Sequence, residues 1–290
     1  MADWTSWTPL PLTTSFTEQT LAETLNGGQA FRWNFLPEES CWQGVWGQYV
    51  ARIRFSDKNH LLVATPANAP DTFPALAAYL RDDFDWDAAV DSLPWRSDGH
   101  LAKSLRAFPG LRILRQPFAE AVLCFLCSAT KQIPQIKVMC ERMAATLGNE
   151  LMPGIHALPT WEQLTNASET QLRSLGLGFR AKNIKKSADL LATQPGLLER
   201  IENAPYEEAK QMLVSLPGVG EKIADCALLF GAAKLEAFPV DTWIIKVLEK
   251  RYTLEGWNPA QLSRFGRVHY GPLAGFAQQF IFSYERQHPT

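Results

Sequence analysis

The chain has 290 residues, 46% of them hydrophobic and 20% charged, with a formal net charge of −2. This is the composition of an ordinary soluble globular protein, too long for one typical domain and comfortable for two or three. No run approaches the roughly 20 apolar residues needed to cross a bilayer, and Met1–Pro11 has neither the basic segment nor the apolar core of a signal peptide, so an intracellular location is expected.

The first third reads as sheet. Phe31–Phe35 alternates and stops at Pro37. Trp42–Trp46 and Tyr49–Phe55 flank Gly47-Gln48, and Leu61-Leu62-Val63 follows a turn at Ser56–Asn59. Short runs with turn residues between them indicate antiparallel pairing. Two short helices are expected at Phe73–Leu80 and Trp86–Leu93, and acid is concentrated at Arg81–Asp87.

Beyond Pro94 the apolar residues recur at period 3.6. The expected helices are Leu101–Ala107, Phe118–Ser128, Ile133–Leu147, Glu169–Leu175, Arg180–Leu191, Glu207–Ser215, Glu221–Phe230, Thr242–Lys250, Pro259–Tyr270 and Ala274–Arg286. Ser168 and Asp241 are candidate N-caps, and Gly110, Gly154, Gly176 and Gly178 punctuate the turns. The class is α+β: a small N-terminal antiparallel β-rich domain with short helices over 1–95, then a larger all-α body over 96–290.

Five cysteines (Cys41, Cys124, Cys127, Cys140 and Cys226) are an odd number scattered along the chain, which argues against a disulfide framework. Cys124-x-x-Cys127 lies in the apolar run Ala121–Cys127, and no second cysteine or histidine pair sits at ligand spacing. Buried thiols are expected, and no metal. The net charge weighs mildly against a nucleic-acid partner, but binding depends on local potential. Basic residues gather at Arg180, Lys182, Lys185 and Lys186. Ten tryptophans are available for stacking on bases, although most belong in the core.

The most informative segment is Leu216-Pro217-Gly218-Val219-Gly220-Glu221-Lys222, inside a helix–turn–helix over 207–231. Gly218 and Gly220 let the backbone turn tightly around Val219 and aim amide N–H groups at the start of the next helix. Such an end carries unpaired donors and a positive dipole, which suit a phosphate. A plain helix–helix turn would share the pattern, but nineteen residues after Lys222 comes Phe238-Pro239-Val240-Asp241-Thr242-Trp243.

With hairpin, lysine and acid at this spacing, the sequence resembles the helix-hairpin-helix DNA glycosylase superfamily, with its acid loop at 238–243. The resemblance implies catalytic roles for Asp241 and for Lys222, the latter matching the lysine of members that also cut the strand. The chemistry accounts for both. Cleaving a purine N-glycosidic bond builds positive charge on the deoxyribose, which a carboxylate stabilises. A neutral amine attacks C1′ and forms a Schiff base. An ordinary lysine is protonated at neutral pH, so the amine must be partly desolvated or placed beside other cations. Asp241 can serve as a helix cap at the same time.

Three further segments resemble the 8-oxoguanine branch. Gly28-Gln29-Ala30-Phe31-Arg32-Trp33 is similar to its early signature, whose glycine carbonyl accepts from N7–H of the oxidised base. Normal guanine presents a bare acceptor there, so the carbonyl would repel it. Without the downstream motifs, Gly28 would read as a turn glycine. Pro272–Phe282 resembles the branch's C-terminal helix, in which Gln278 bonds the Watson–Crick edge and Phe282, on the same face, stacks on the flipped ring. Cys226 matches the cysteine on the ring's other side. Leu175–Lys182 resembles the loop that wedges an aromatic, here Phe179, into the duplex and reads the orphaned cytosine, here with Arg180.

The sequence also departs from the branch. The asparagine run that fills the vacated gap is replaced by Ala129-Thr130-Lys131-Gln132, the second cytosine-reading arginine by Gln135, and a phosphate-contacting histidine by Trp243. These changes put strict specificity for opposite cytosine in doubt and leave Thr130, Lys131 and Gln132 as candidate DNA contacts. No four-cysteine set marks an iron–sulfur cluster.

The expectation is a bifunctional 8-oxoguanine DNA glycosylase and abasic-site lyase, acting as a monomer on double-stranded DNA. It would work in the cytoplasm or nucleoid of a bacterium, or the nucleus of a eukaryote. No cofactor is required, although the family suggests a monovalent cation held by hairpin carbonyls around Leu216 and Val219. A monofunctional alkylpurine glycosylase of the same fold is disfavoured by Lys222 and Gln278. A silent helix-hairpin-helix DNA-binding module is disfavoured by the coexistence of Lys222 and Asp241.

Overall fold

The structure, a computed structural model, describes residues 4–13, 16–56, 60–69 and 72–288. Five strands, β1 (Thr8–Pro9), β2 (Trp33–Leu36), β3 (Cys41–Trp46), β4 (Tyr49–Phe55) and β5 (Leu61–Ala64), form one antiparallel sheet in the order β1-β5-β4-β3-β2. Trp46 pairs with Tyr49 across Gly47-Gln48, so the hairpin expected there closes on its two turn residues. Most of the expected Ser56–Asn59 turn lies outside the described residues.

A helix that the strand pattern obscured, Glu18–Asn26, precedes the sheet. Thr17 and Thr20 cap it reciprocally, and Leu21 and Leu25, one turn apart, are buried. Its Glu23 holds Arg286 and Gln287 of the C-terminal helix Ala274–Gln287. The two ends of the chain are thereby tied together beside the cleft described below.

The rest is helical. Ile133–Leu147, Glu221–Phe230 and Pro259–Tyr270 have the bounds their periodicity predicts. The expected Glu169–Leu175 helix does not run through. It stops at Leu172 and opens into a wider turn over Arg173–Leu177, because Gly176 takes φ +89°. A short hairpin, Glu150–Met152 with Ile155–His156, also interrupts the helical region.

Apolar packing forms two large clusters, one under the sheet and one within the helices. They meet along two segments. Ala30 and Trp33 belong to the sheet's cluster while Phe31 belongs to the helical one, and Leu114 is divided in the same way from Leu111 and Ile113. Gln29 is fully buried at this seam. Its amide donates to the Arg112 carbonyl at 2.8 Å and accepts from Leu114 N–H at 3.0 Å. Gly28 therefore stands on a fixed rail.

Candidate active site

The hairpin is set by backbone conformations that few residues adopt. Between helix Tyr206–Val214 and the lysine helix Glu221–Phe230, Gly218 takes φ +84°, a region strained for any residue with a Cβ. A Cβ there would also stand 2.6 Å from the Asn183 side chain. Val219 is buried as the anchor, and Ser187 Oγ donates to the Pro217 carbonyl at 3.0 Å. Gly220 provides no side-chain cap, so the first N–H groups of the lysine helix stay available to an anion.

Buried charge then fixes the rotation of that helix. Lys210 Nζ bonds Asp225 Oδ2 at 3.0 Å and Glu221 Oε2 at 2.6 Å, and Tyr206 OH donates to Asp225 Oδ1 at 2.6 Å. Burial raises the Asp225 carboxyl to about 6 against the pull of Lys210. One partner on Glu221 and two on Asp225 leave the intervening Lys222 little freedom of direction.

Lys222 lines a cleft of about 950 Å³. Its Nζ donates to Ser128 Oγ at 3.2 Å and stands 5.8 Å from the centre of the Phe125 ring. Asp241 lines the same cleft from the N-terminus of helix Thr242–Tyr252, where Oδ1 accepts from Ile244 N–H at 2.9 Å. Burial raises its carboxyl above the ordinary value, while the Ile244 N–H and the Lys222 charge pull it back. Asp241 is therefore both a helix cap and a poorly solvated acid facing an amine across one cleft. That pairing suits attack on an anomeric carbon that becomes positive as its bond breaks.

The profile of the 8-oxoguanine DNA glycosylase N-terminal domain matches residues 11–122, and that of the HhH-GPD superfamily of base excision DNA repair proteins matches residues 123–267. The chain belongs to the HhH-GPD superfamily. It is 31% identical to the N-glycosylase/DNA lyase OGG1 of Arabidopsis thaliana, over 95% of this chain and 79% of that protein. It is 30% identical to a probable N-glycosylase/DNA lyase of Methanothermobacter thermautotrophicus, over 68% and 70% of the two chains. A crystal structure of the Clostridium acetobutylicum 8-oxoguanine glycosylase/lyase with dsDNA superposes with TM-score 0.89 at 28% identity, covering 100% of this chain and 99% of that one.

In this member of the superfamily, Gly28, Cys226, Gln278 and Phe282 line the cleft with Lys222 and Asp241. Gly28 takes φ +105°, and a Cβ there would approach Ile133 Cδ1 at 3.2 Å and Phe282 Cε1 at 3.9 Å. Burial pushes the Cys226 thiol up to about 12, so a neutral sulfur meets whatever enters. Gln278 is 4% exposed. Its Nε2 donates to the Pro239 carbonyl at 3.3 Å, while its Oε1 is buried without a hydrogen-bond partner. Such an atom costs stability unless something supplies a donor.

The expected DNA contacts are arranged differently from one another. Thr130, Lys131, Gln132 and Gly220 line the cleft, whereas Phe179, Arg180 and Gly218 do not. Phe179 is 56% exposed, as a wedge requires. Arg180, the expected cytosine reader, is turned inward in this structure. It is 3% exposed, donating to the carbonyls of Ala129 and Leu177 and at 3.0 Å to Thr130 Oγ1. Its guanidinium turns inward because helix Arg180–Thr193 starts beneath the 129–130 turn, whose carbonyl and hydroxyl supply acceptors. Gln135, at the position of a second reader, is spent on a cap, its Oε1 accepting from Gln132 N–H. Sequence reasoning missed Ser128 as the partner of Lys222; its only signal was its place after the buried run ending at Cys127.

Proposed function

We propose that the protein is a bifunctional DNA glycosylase and abasic-site lyase that removes 8-oxoguanine from duplex DNA. The observation that carries the substrate assignment is Gln278, a buried amide with an unpartnered oxygen that lines the cleft shared by Lys222 and Asp241. A flipped purine offering an N–H on its Watson–Crick edge would satisfy that oxygen. Phe282 and the neutral Cys226 would take the two faces of the ring, and the Gly28 carbonyl would select N7–H.

In this reading the Lys222 amine, once deprotonated, forms a bond to C1′ as the C1′–N9 bond breaks. The N9 electron pair leaves with the base, which takes up a proton. Asp241 offsets the positive charge that builds on the sugar. The new ammonium loses a proton, the nitrogen lone pair expels O4′ as a hydroxyl, and an iminium remains. Loss of a C2′ proton then expels the 3′ phosphate.

Exposed Phe179 fills the vacated stack, and the N–H groups at the start of helix Glu221–Phe230, beside Gly220, hold a phosphate. A monovalent cation at the hairpin would rest on backbone carbonyls, adding only a fixed positive charge. Leu216 O already accepts from Val219 N–H and would offer its second lone pair. The test is single-turnover excision from duplexes carrying 8-oxoguanine, guanine or 3-methyladenine at one position. The expected result is release of 8-oxoguanine alone. Release of 3-methyladenine with 8-oxoguanine left in place would move the protein to the alkylpurine class.

A further inference from the structure

The Lys222 amine hydrogen-bonds a hydroxyl, and that hydroxyl is itself fixed. Ser128 follows helix Phe118–Cys127, is 7% exposed, and donates its own hydrogen to the Phe125 carbonyl at 2.7 Å. A hydroxyl has one hydrogen and two lone pairs. With the hydrogen committed to Phe125, what Ser128 presents to Lys222 at 3.2 Å is a lone pair of set direction.

The turn bearing Ser128 is held at a cost. Thr130 takes φ +54°, and a β-branched residue in the left-handed region is an outlier. Strain of this kind persists only where the surroundings impose it, and it gathers at functional sites. Here the surroundings are Arg180, which bonds the Ala129 carbonyl and Thr130 Oγ1 from below. A buried guanidinium is thus spent on the shape of one tight turn, and that turn places Ser128 against the amine.

We infer that Ser128 is a positioning residue for Lys222: it aims the amine at C1′, and Arg180 holds the turn from which it does so. The inference rests on the assignment of Lys222 as nucleophile. Ser128 touches no reacting atom and takes no proton. Its effect is on which nucleophile reaches the sugar cation. A well-aimed amine forms the C1′–N bond ahead of water, and a wandering one lets water form a C1′–O bond, leaving a free abasic site.

That competition gives a readout insensitive to folding, since lost protein lowers both products alike. Full-length enzyme is mixed in excess with an 8-oxoguanine duplex and quenched with borohydride at equal, early extents of base loss. The quantity measured is the share of excised base matched by a trapped protein–DNA adduct. Ser128→Ala should lower that share at least threefold and slow base loss about tenfold at saturating enzyme, with duplex affinity within twofold of wild type. Ser128→Thr, which keeps the hydroxyl, should restore most of both. An unchanged trapped share in Ser128→Ala overturns the inference, even if the rate or thermal stability falls, because only the helix-end hydrogen bond to Phe125 would then have mattered. Lys222→Gln separates the two levels. If it abolishes trapping while Ser128→Ala leaves the share intact, positioning alone is wrong. If Lys222→Gln still traps normally, the nucleophile assignment falls and the inference with it.

Discussion

Replacing Gln278 with methionine should raise or preserve stability while damaging activity. The change keeps the side chain's length and removes two polar atoms. One is Oε1, buried without a partner, and an unsatisfied buried acceptor costs about 1–3 kcal/mol. The other is Nε2, whose 3.3 Å bond to the Pro239 carbonyl is long and contributes roughly 0.5–1 kcal/mol. The net change in folding free energy is therefore about zero to +2 kcal/mol in favour of the variant. An unfolding entropy of ~2.1 cal/mol/K per residue converts this to a Tm shift of about 0 to +3 °C. In the complex the sign reverses. Wild type gains a bond to the base edge that methionine cannot make, so kcat/KM for 8-oxoguanine should fall by about 1–3 kcal/mol, or roughly 5- to 150-fold. Affinity for an undamaged duplex should not change. Calorimetry and single-turnover kinetics on one preparation give both numbers. A Tm loss of several degrees with activity within threefold of wild type would make Gln278 an ordinary core amide with no part in binding the base.

Asp241→Asn should slow base loss by at least about 100-fold with Tm within a few degrees, since asparagine still accepts from Ile244 N–H. Because burial raises the Asp241 carboxyl, wild-type activity should fall, on acidification, at a higher pH than an ordinary carboxylate would dictate, and pH–rate profiles of the two proteins check this. Glu120, whose Oε1 accepts from Gly47 N–H, has its carboxyl raised by burial from 4.5 to about 7. The protonated form is thus favoured by folding, and its contribution is present below about pH 4.5 and lost as pH rises through 7. Glu120→Gln should gain roughly 2–3 kcal/mol relative to wild type between pH 4 and pH 8, read by denaturant melts at both. With Arg180 inward and Gln135 spent on a cap, 8-oxoguanine should be excised opposite adenine, guanine and thymine as well as cytosine. A cytosine preference above a thousandfold, measured on four duplexes, would show that Thr130 or Lys131 supplies the missing contacts.

The parts legible in the sequence were those that local chemistry dictates. Period-3.6 runs with good ends, such as Pro259–Tyr270 with its Asn258–Gln261 cap, kept their expected bounds because burial and capping agree there. The hairpin glycine at 218 and the cap at Asp241 follow from backbone rules that need no tertiary knowledge. What stayed hidden depends on distant partners. Glu18–Asn26 is short, and its Glu23 is buried only because Arg286 and Gln287 come to meet it. Arg180 reads as the residue that reaches the orphaned cytosine, and nothing local reveals that the Ala129 carbonyl and Thr130 hydroxyl will claim it. Ser128 and Lys222 are 94 positions apart, so their contact was invisible until the chain was folded.

Lys222 as the nucleophile is decided by locating the covalent bond. Wild-type protein is incubated with an 8-oxoguanine duplex, reduced with borohydride, digested, and the modified peptide sequenced by mass spectrometry. One adduct is expected, on the Lys222 amine, absent from Lys222→Gln protein that still binds the duplex. An adduct on another amine, Lys131 at the same cleft above all, or base release with no adduct at any time, would contradict that assignment.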